Sequence, residues 1–276
     1  MNHPKLLWIL SFALTLLIAF YQRVTGPSYP VSGTCTLGRA TIPFRFDRSH
    51  GGDSDVPISI RTNDDQIQGV LEWKRYKTAD SWRSEPMLLH DGILSAMLPY
   101  QPPAGKLQYR VRLTKGELTE TVPASEPVTI RFKGAVPMWI LIPHVIIMFS
   151  AMLFSTRTGL EFFNSGANLK KLTSWTVGLL FLGGLLLGPA VQWYAFNAWW
   201  TGWPFGTDLT DNKTAVALAG WLVALIAIHR ERHGRTWALG ASLVLLLVYL
   251  IPHSMLGSEL DYTTLDQQQT VQPKPE

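Results

Sequence analysis

Five long apolar runs constrain this chain more than any other feature of its sequence. Each approaches the length at which a helix crosses a bilayer. The runs are Leu6 to Tyr21, Pro137 to Phe154, Leu172 to Gly188, Thr214 to His229 and Trp237 to Ile251. Since a backbone in lipid must satisfy its own hydrogen bonds, these runs predict five membrane-spanning helices, with the lipid bilayer as a partner of the chain.

The rest of the sequence is too polar for a protein that lies in lipid throughout. Of the 276 residues, 47% are hydrophobic and 16% are charged, which indicates one water-exposed module in addition to the helices. The net charge of +4 is not arranged along the sequence as a basic stripe with interleaved aromatic residues, so no nucleic-acid partner is expected. The single Cys35 excludes an intrachain disulfide.

Seven short β-type runs, punctuated by Pro and Gly, predict a water-exposed β domain between the first two helices. They are Thr41 to Phe46, Val56 to Arg61, Gly69 to Tyr76, Ile93 to Leu98, Lys106 to Thr114, Glu117 to Val122 and Pro127 to Phe132. Alternation is clearest at Leu107, Tyr109, Val111 and Leu113, which predicts one buried and one solvated face. This number of strands favours a β-sandwich of immunoglobulin or fibronectin III type, with Trp73 in its core.

The predicted fold class is therefore mixed, an all-β immunoglobulin-like sandwich joined to a five-helix transmembrane region. Its segments are an N-terminal anchor (1–22), the sandwich (26–133), a four-helix bundle (137–256) with an aromatic loop (189–213), and a disordered tail rich in Gln and Pro (263–276).

Basic residues flank the apolar runs mainly on one side, with the lone Lys213 on the other. They are Lys5, Arg157, Lys170, Lys171, Arg230, Arg232 and Arg235, whereas the opposite flanks carry mainly acids. The positive-inside rule then predicts a cytoplasmic N-terminus, with the sandwich, the aromatic loop and the C-terminus on the outer side.

The loop 189–213 concentrates four Trp residues together with polar side chains. One interpretation is an interfacial aromatic belt. The other is a lid over a polar cluster of Asp208, Gln192 and Glu259, because polar groups among rings need partners. Asp211 precedes a helix and is explained as its cap, whereas capping does not explain Asp208.

The tetrapeptide Leu-Ile-Pro-His occurs twice and places His144 and His253 at the predicted outer ends of two helices. Met148 and Met152 follow His144 at steps of four, on one helix face. Imidazole with thioethers suits copper, and two histidines suit a b-type haem. The alternative is that each imidazole bonds a carbonyl freed by the neighbouring proline, and that methionines at this spacing only pack.

Several segments together resemble an uncharacterised group of bacterial inner-membrane proteins. They are RVTGPSYP (23–30), QPPAGKLQYR (101–110), IPHVIIMFSAML (142–153), FGTDLTDNKT (205–214) and IPHSMLGSELDY (251–262). The resemblance covers most of the chain and implies a multi-pass protein of the bacterial inner membrane whose sandwich and C-terminus are periplasmic. It implies no catalytic residue.

Two hypotheses of function follow. In the first, the chain is a non-catalytic accessory or assembly protein of an envelope complex, whose sandwich binds an envelope protein partner. In the second, it is a redox or metal-handling membrane protein with His144 and His253 as ligands. The sequence contains no nucleophile elbow, Walker loop, paired-carboxylate signature or HExxH, so no enzymatic activity is predicted.

Overall fold

The chain folds into two compact units. A computed structural model describes residues 4–164, 168–252, 257 and 259–271. The helical unit comprises Met1–Pro27 and Val136–Ser258, and the sheet unit comprises Ser28–Ala135 and Glu259–Glu276. The sequence places the β domain between the first two helices, and the last residues of the chain belong to the same unit as that domain.

The sheet unit contains eleven strands among the described residues. They are β1 (Val31–Leu37), β2 (Ala40–Phe46), β3 (Ser49–Gly51), β4 (Val56–Arg61), β5 (Gln68–Arg75), β6 (Arg83–Pro86), β7 (Leu88–His90), β8 (Ile93–Leu98), β9 (Lys106–Lys115), β10 (Leu118–Val122) and β11 (Val128–Lys133). All seven predicted strands are present within one residue at each end. The sequence pattern missed β1, β3, β6 and β7, three of which are short or exposed along most of their length.

The strands form three sheets around one core. β1 pairs with β2, and β4, β8 and β7 form a three-stranded sheet in that order. In the six-stranded sheet the order is β3-β11-β9-β5-β6. One edge of β9 pairs with β5, while its other edge pairs first with β11 and then with β10. β9 therefore organises the largest sheet.

The alternation predicted for β9 is confirmed. Leu107, Tyr109, Val111 and Leu113 are fully buried, because successive side chains of a strand point to opposite faces. They join one hydrophobic cluster with Trp73 of the same sheet and with residues of the other two sheets, including Ile42 and Ile58. Trp73 is thus a core tryptophan, as predicted.

Composition rich in Gln and Pro predicts a disordered tail over 263–276, but residues 263–271 are helical. Tyr262–Val271 forms helix α7, and residues 272–276 lie outside the described residues. Asp261 begins the helix by accepting hydrogen bonds from the backbone N–H groups of Thr263 and Thr264. The polar composition did not predict this helix because the helix has no apolar face. Hydrogen bonds that join Tyr262 and Asp266 to other residues of the sheet unit stabilise it instead.

The helical unit contains six α-helices among the described residues, counted before α7 in chain order. They are α1 (Pro4–Thr25), α2 (Met138–Gly159), α3 (Leu169–Leu180), α4 (Gly188–Phe196), α5 (Leu209–His229) and α6 (Gly234–Leu250). A 3₁₀ turn, Leu160–Phe163, extends α2, and a π-helical segment, Phe181–Leu187, joins α3 to α4. Four continuous helices, Pro4–Thr25, Met138–Phe163, Leu169–Phe196 and Leu209–His229, are long and apolar enough to cross a membrane. The chain therefore has the composition of a membrane protein.

The fifth predicted span, α6, is shorter, at 17 residues. Its side-chain contacts connect it to both ends of the unit. At its N-terminal end Arg235 donates to the carbonyls of Glu161 and Phe162, which follow α2. At its C-terminal end the carbonyl of Tyr249 accepts from Gln22, near the end of α1. Because Trp8 near the start of α1 packs against Phe154 near the end of α2, the end of α1 and the end of α2 lie at opposite ends of the unit, and α6 runs between them.

The aromatic loop is shorter than the predicted 189–213. The third span continues through the π-helical segment and α4 to Phe196, and α5 begins at Leu209. Pro189 does not end the span. It lies in the first turn of α4, directly after the π-helical segment, where the regular i→i−4 hydrogen-bond pattern is already interrupted. Asn197 ends α4 with φ of 55° and donates its N–H to the Trp193 carbonyl, which is the left-handed helix ending that Asn tolerates.

Candidate functional site

His144 contacts the backbone of the neighbouring helix. Its Nδ1 donates to the carbonyl oxygen of Gly183, 3.0 Å away, in the π-helical segment. This agrees with the interpretation that the imidazole bonds a backbone carbonyl, although the carbonyl comes from another helix and not from the turn before Pro143. The same carbonyl also accepts from the Gly188 N–H, the i→i+5 bond of a π-helical turn. His253 lies outside the described residues.

The two methionines predicted beside His144 pack in the helical unit. A Cβ built on Gly183 would lie 2.7 Å from Met148 Sδ, so the missing side chain of that glycine makes room for the thioether. Met152 is fully buried in the core of the unit. Among the described residues, no group of three or more His, Cys, Asp or Glu side chains is placed to hold a metal ion. The copper or haem site stays a prediction.

The two aspartates of the loop exchange the roles predicted for them. Asp208 is the N-cap of α5 and accepts from the Thr210 N–H at 2.8 Å. Asp211, one turn into the helix, instead accepts from the backbone N–H groups of Thr201 and Gly202 at 2.7 and 3.0 Å. The prediction for Asp208 was wrong because the helix begins before Thr210 and not at it.

Asp211 thereby holds the loop against the start of α5. Its side chain is buried, and it also accepts at 3.3 Å from the Thr201 hydroxyl. Gln192 belongs to the same network, since its amide donates to the Thr201 hydroxyl at 2.5 Å. The loop is thus held by hydrogen bonds to the Asp211 carboxylate and the Gln192 amide. The stacked rings of Trp193 and Trp199, with centroids 5.1 Å apart, lie where α4 ends and this loop begins.

Lys213 completes this end of the helical unit. It is only 6% exposed, and its Nζ donates to the carbonyl of Ile251 at 2.7 Å. An ammonium group at a helix C-terminus satisfies carbonyls that the helix leaves without N–H donors. The contact fixes the C-terminal end of α6 beside the start of α5.

Glu259 is the third residue of the polar cluster predicted with Asp208 and Gln192. It belongs to the sheet unit, where its two carboxylate oxygens lie 2.6 Å from Lys106 Nζ and 2.7 Å from Lys77 Nζ. Burial alone would raise the pKa of Glu259, but the hydrogen bonds from Lys106 and Lys77 outweigh it and leave that pKa lowered. In the helical unit Gln192 is joined to the Asp211 network through Thr201, and Asp208 acts as a cap. A cluster that also includes Glu259 stays a prediction.

A second polar site at the other end of the helical unit was missed by the sequence analysis. Arg157 and Glu161 form an ion pair of 2.6 Å, with side chains 3% and 1% exposed. The Asn164 amide also donates to the Glu161 carboxylate, and the guanidinium lies over the ring of Trp8 at 5.6 Å. Arg157 had been counted among the cytoplasmic flanks, because a cation at the end of an apolar run resembles one. The spacing of four between Arg157 and Glu161 was the available signal.

Hydroxyl groups extend this buried site between the helices. Thr158 and Thr176 hydroxyls lie 3.3 Å apart across α2 and α3, and the Trp221 indole donates to the Ser155 hydroxyl at 3.1 Å. Small polar residues of this kind allow close helix packing and bond across it. Among the described residues, Arg157 Nε and Nη1 contact no acceptor.

A basic cluster on the sheet unit was also missed. Arg75 donates to both Asp80 and Asp266, and its guanidinium lies 5.0 Å from the ring centre of Tyr262. Burial raises the pKa of Tyr262 to about 12, and the hydrogen bond from Arg75 lowers the pKa of Asp266. These residues come from distant parts of the sequence, so no local motif connects them.

Comparison of the chain with protein-family models, with curated proteins and with solved structures gives no match. The resemblance to a bacterial inner-membrane group therefore stays a prediction from the sequence.

Proposed function

We propose that this chain is an integral accessory or assembly protein of a bacterial envelope complex, anchored in the inner membrane and binding a protein partner through its sheet unit. The sheet unit is then an immunoglobulin-like sandwich in the periplasm, and all five apolar helices cross the bilayer with the N-terminus in the cytoplasm.

The number of membrane crossings that this topology requires supports α6 as a membrane-spanning helix. The sheet unit contains residues that follow α1 and also residues 259–271, which follow α6. Both ends of the intervening chain must lie on one side of the membrane, so it crosses an even number of times. Three helices of the intervening chain are long and apolar enough to cross a membrane, namely Met138–Phe163, Leu169–Phe196 and Leu209–His229. The 17-residue α6 supplies the fourth crossing, and a helix of this length spans about 25 Å.

Partner binding is supported by an exposed apolar surface on the three-stranded sheet. Leu88 of β7 is 73% exposed and Met97 of β8 is 53% exposed. The register pairs Leu88 with Ser95, and Ser95 and Met97 share a face, so both side chains lie on the outer face, opposite the buried Leu94. β7 is also an edge strand. Large exposed apolar side chains beside a free strand edge are the features that a partner protein covers.

Site-specific photocrosslinking tests this proposal. A photoreactive amino acid at Leu88 or Met97, introduced into the full chain in its native cells, should give one discrete crosslinked product. The same probe at Glu117, an exposed position between β9 and β10, should give none. Equal labelling at all three positions would reject the apolar face as the partner site.

A further inference from the structure

The C-terminal segment 259–267, which is helical from Tyr262 onward, binds to the sheet unit as a peptide ligand would bind to a receptor. It lies where β5 ends and β9 begins, at Arg75 and Lys106. The Leu260 N–H donates to the Ala104 carbonyl at 3.1 Å. The segment is thus connected to the sheet unit through its backbone as well as its side chains.

Tyr262 is the anchor of this segment. It is 6% exposed, and its hydroxyl donates to the Lys106 carbonyl and accepts from the Lys106 N–H, both at 3.0 Å. A Cβ built on Gly105 would lie 3.1 Å from the same hydroxyl, so Gly105 leaves the space that the phenol occupies. The buried ring and the paired backbone groups define a pocket for an aromatic residue with a hydroxyl group.

Two carboxylates bind on either side of that anchor. Glu259, three residues before Tyr262, binds Lys106 and Lys77. Asp266, four residues after it, binds Arg75 through both oxygens, at 2.7 and 2.9 Å. A bidentate pair of this kind has a defined geometry as well as attraction.

The charges are divided between the two sides of this contact. The sheet unit supplies three cations, Arg75, Lys77 and Lys106, and one carboxylate, Asp80, which binds Arg75 at 2.6 Å. The segment supplies the two carboxylates of Glu259 and Asp266. The basic surface continues along the outer face of the sheet, where Lys74 and Arg110 lie over the ring of Trp82 at 5.4 and 4.5 Å. The sheet therefore offers more basic surface than the segment covers.

The segment makes few apolar contacts. Of its residues Glu259 to Gln267, only Tyr262 is buried, and a cleft of about 220 Å³, lined by Tyr76, Lys77 and Lys106, remains beside it. Exposed ion pairs contribute little free energy each. A second peptide with the same arrangement of groups could therefore replace the segment.

We propose that this basic cleft is a docking site for an acidic peptide segment of a partner protein, and that the chain's own residues 259–267 occupy it as an intramolecular competitor. The partner segment carries a tyrosine with one carboxylate three residues before it and another four residues after it. A peptide fits better than a lipid headgroup, because the site also recognises main-chain and phenol groups that a phosphate lacks. The inference goes beyond the proposed function, since it concerns a second surface of the sheet unit.

Peptide binding to the detergent-solubilised full chain tests the proposal. The probe is a fluorescent peptide of residues 259–271, and the receptor is the chain ending at Gly257. We expect saturable binding by fluorescence anisotropy, and binding to the intact chain weaker by at least about tenfold, because its own segment competes. The peptide with Tyr262→Ala, or with Glu259→Gln and Asp266→Asn together, should bind weaker by about tenfold or more.

The matched control on the receptor is Lys115→Gln, at the other end of β9, where the lysine pairs with Asp64. It should leave peptide binding unchanged, whereas Lys106→Gln should weaken it. Since the peptide variants leave the receptor unaltered, they test the site even where a receptor variant fails to fold. Absence of saturable binding, or equal binding of all peptide variants, would overturn the proposal. Displacement of the peptide by phosphatidylglycerol vesicles, lost in Lys106→Gln, would overturn it in favour of a lipid-binding surface. None of these outcomes depends on crosslinking at Leu88.

Discussion

Arg157 Nη2 lies 2.6 Å from Glu161 Oε1, and both side chains are almost completely buried. The pair lies at the α2–α3 end of the helical unit, where a charge without a partner would have neither water nor a counter-ion. Removing one partner of a buried ion pair leaves the other charge buried and unpaired, which strongly lowers the free energy of unfolding. Replacing both partners by apolar residues of similar size changes it much less. The effect of substituting either residue on stability should therefore depend on whether the other is present.

We expect Glu161→Ala to destabilise the helical unit by about 3 to 5 kcal/mol, because it leaves Arg157 buried and uncompensated. Arg157→Met combined with Glu161→Met should cost less than Glu161→Ala alone. Thermal unfolding in detergent, monitored by tryptophan fluorescence, measures both. If the losses of the single variants Arg157→Met and Glu161→Met add up to the loss of the double variant, the two residues are not a coupled pair.

The loop network makes a prediction about the two aspartates. Asp211→Ala removes the acceptor of two backbone N–H groups and one hydroxyl, and should cost about 3 kcal/mol. Asp208→Ala removes the N-cap bond to Thr210 and should cost about 1 kcal/mol. Unfolding curves and limited proteolysis of residues 197–208 compare the variants. An equal or larger loss at Asp208 would favour the role that the sequence predicted for it.

Close contact between α2 and α6 depends on Gly159. A Cβ built there would lie 2.5 Å from Ser242 Cβ, so Gly159→Ala should lower stability by about 1 to 3 kcal/mol. The matched control is Gly240→Ala on α6, where no atom lies within 4 Å of the added Cβ; it should be neutral or stabilising. Adding Ser242→Gly to Gly159→Ala should restore part of the lost stability. If stability does not rise, the close contact with Ser242 is not the cause of the loss.

Acid should release the C-terminal segment from the sheet unit. Hydrogen bonds from lysine and arginine lower the pKa values of Glu259 and Asp266 below their ordinary values of 4.5 and 3.8. A group whose pKa is lowered by folding stabilises the contact fully above its ordinary pKa, and that contribution is lost as the pH falls through the lowered value. The segment should therefore stay bound at neutral pH and dissociate at a pH below those ordinary values.

A spin label at Gln267→Cys, in a Cys35→Ser background, measures this release as a gain in label mobility. In the Asp266→Asn variant the mobile fraction should already be larger at neutral pH, because one ion pair is absent. A label that stays immobile below about pH 2.5 in both chains would show that Tyr262 and the backbone contact suffice without the carboxylates.

The local patterns of the sequence determined the elements of this protein. The period of two at Leu107 to Leu113 predicted β9 and its buried face, and seven strands were placed correctly because each carries its own alternation or β-branched run. The apolar runs predicted the long helices for the same reason, since length and hydropathy are properties of one segment.

Only the tertiary structure decided which polar groups meet. The contacts Arg75–Asp266, Lys106–Glu259 and His144–Gly183 join residues that are far apart in sequence. The exchange of roles between Asp208 and Asp211 depends on where the loop folds back, and the surroundings of Arg157 depend on Trp8 in α1 and on Glu161. Side-chain period and hydropathy report how one segment meets its surroundings, whereas an ion pair or a cap depends on which other segment is packed there, and that is fixed only when the elements are assembled.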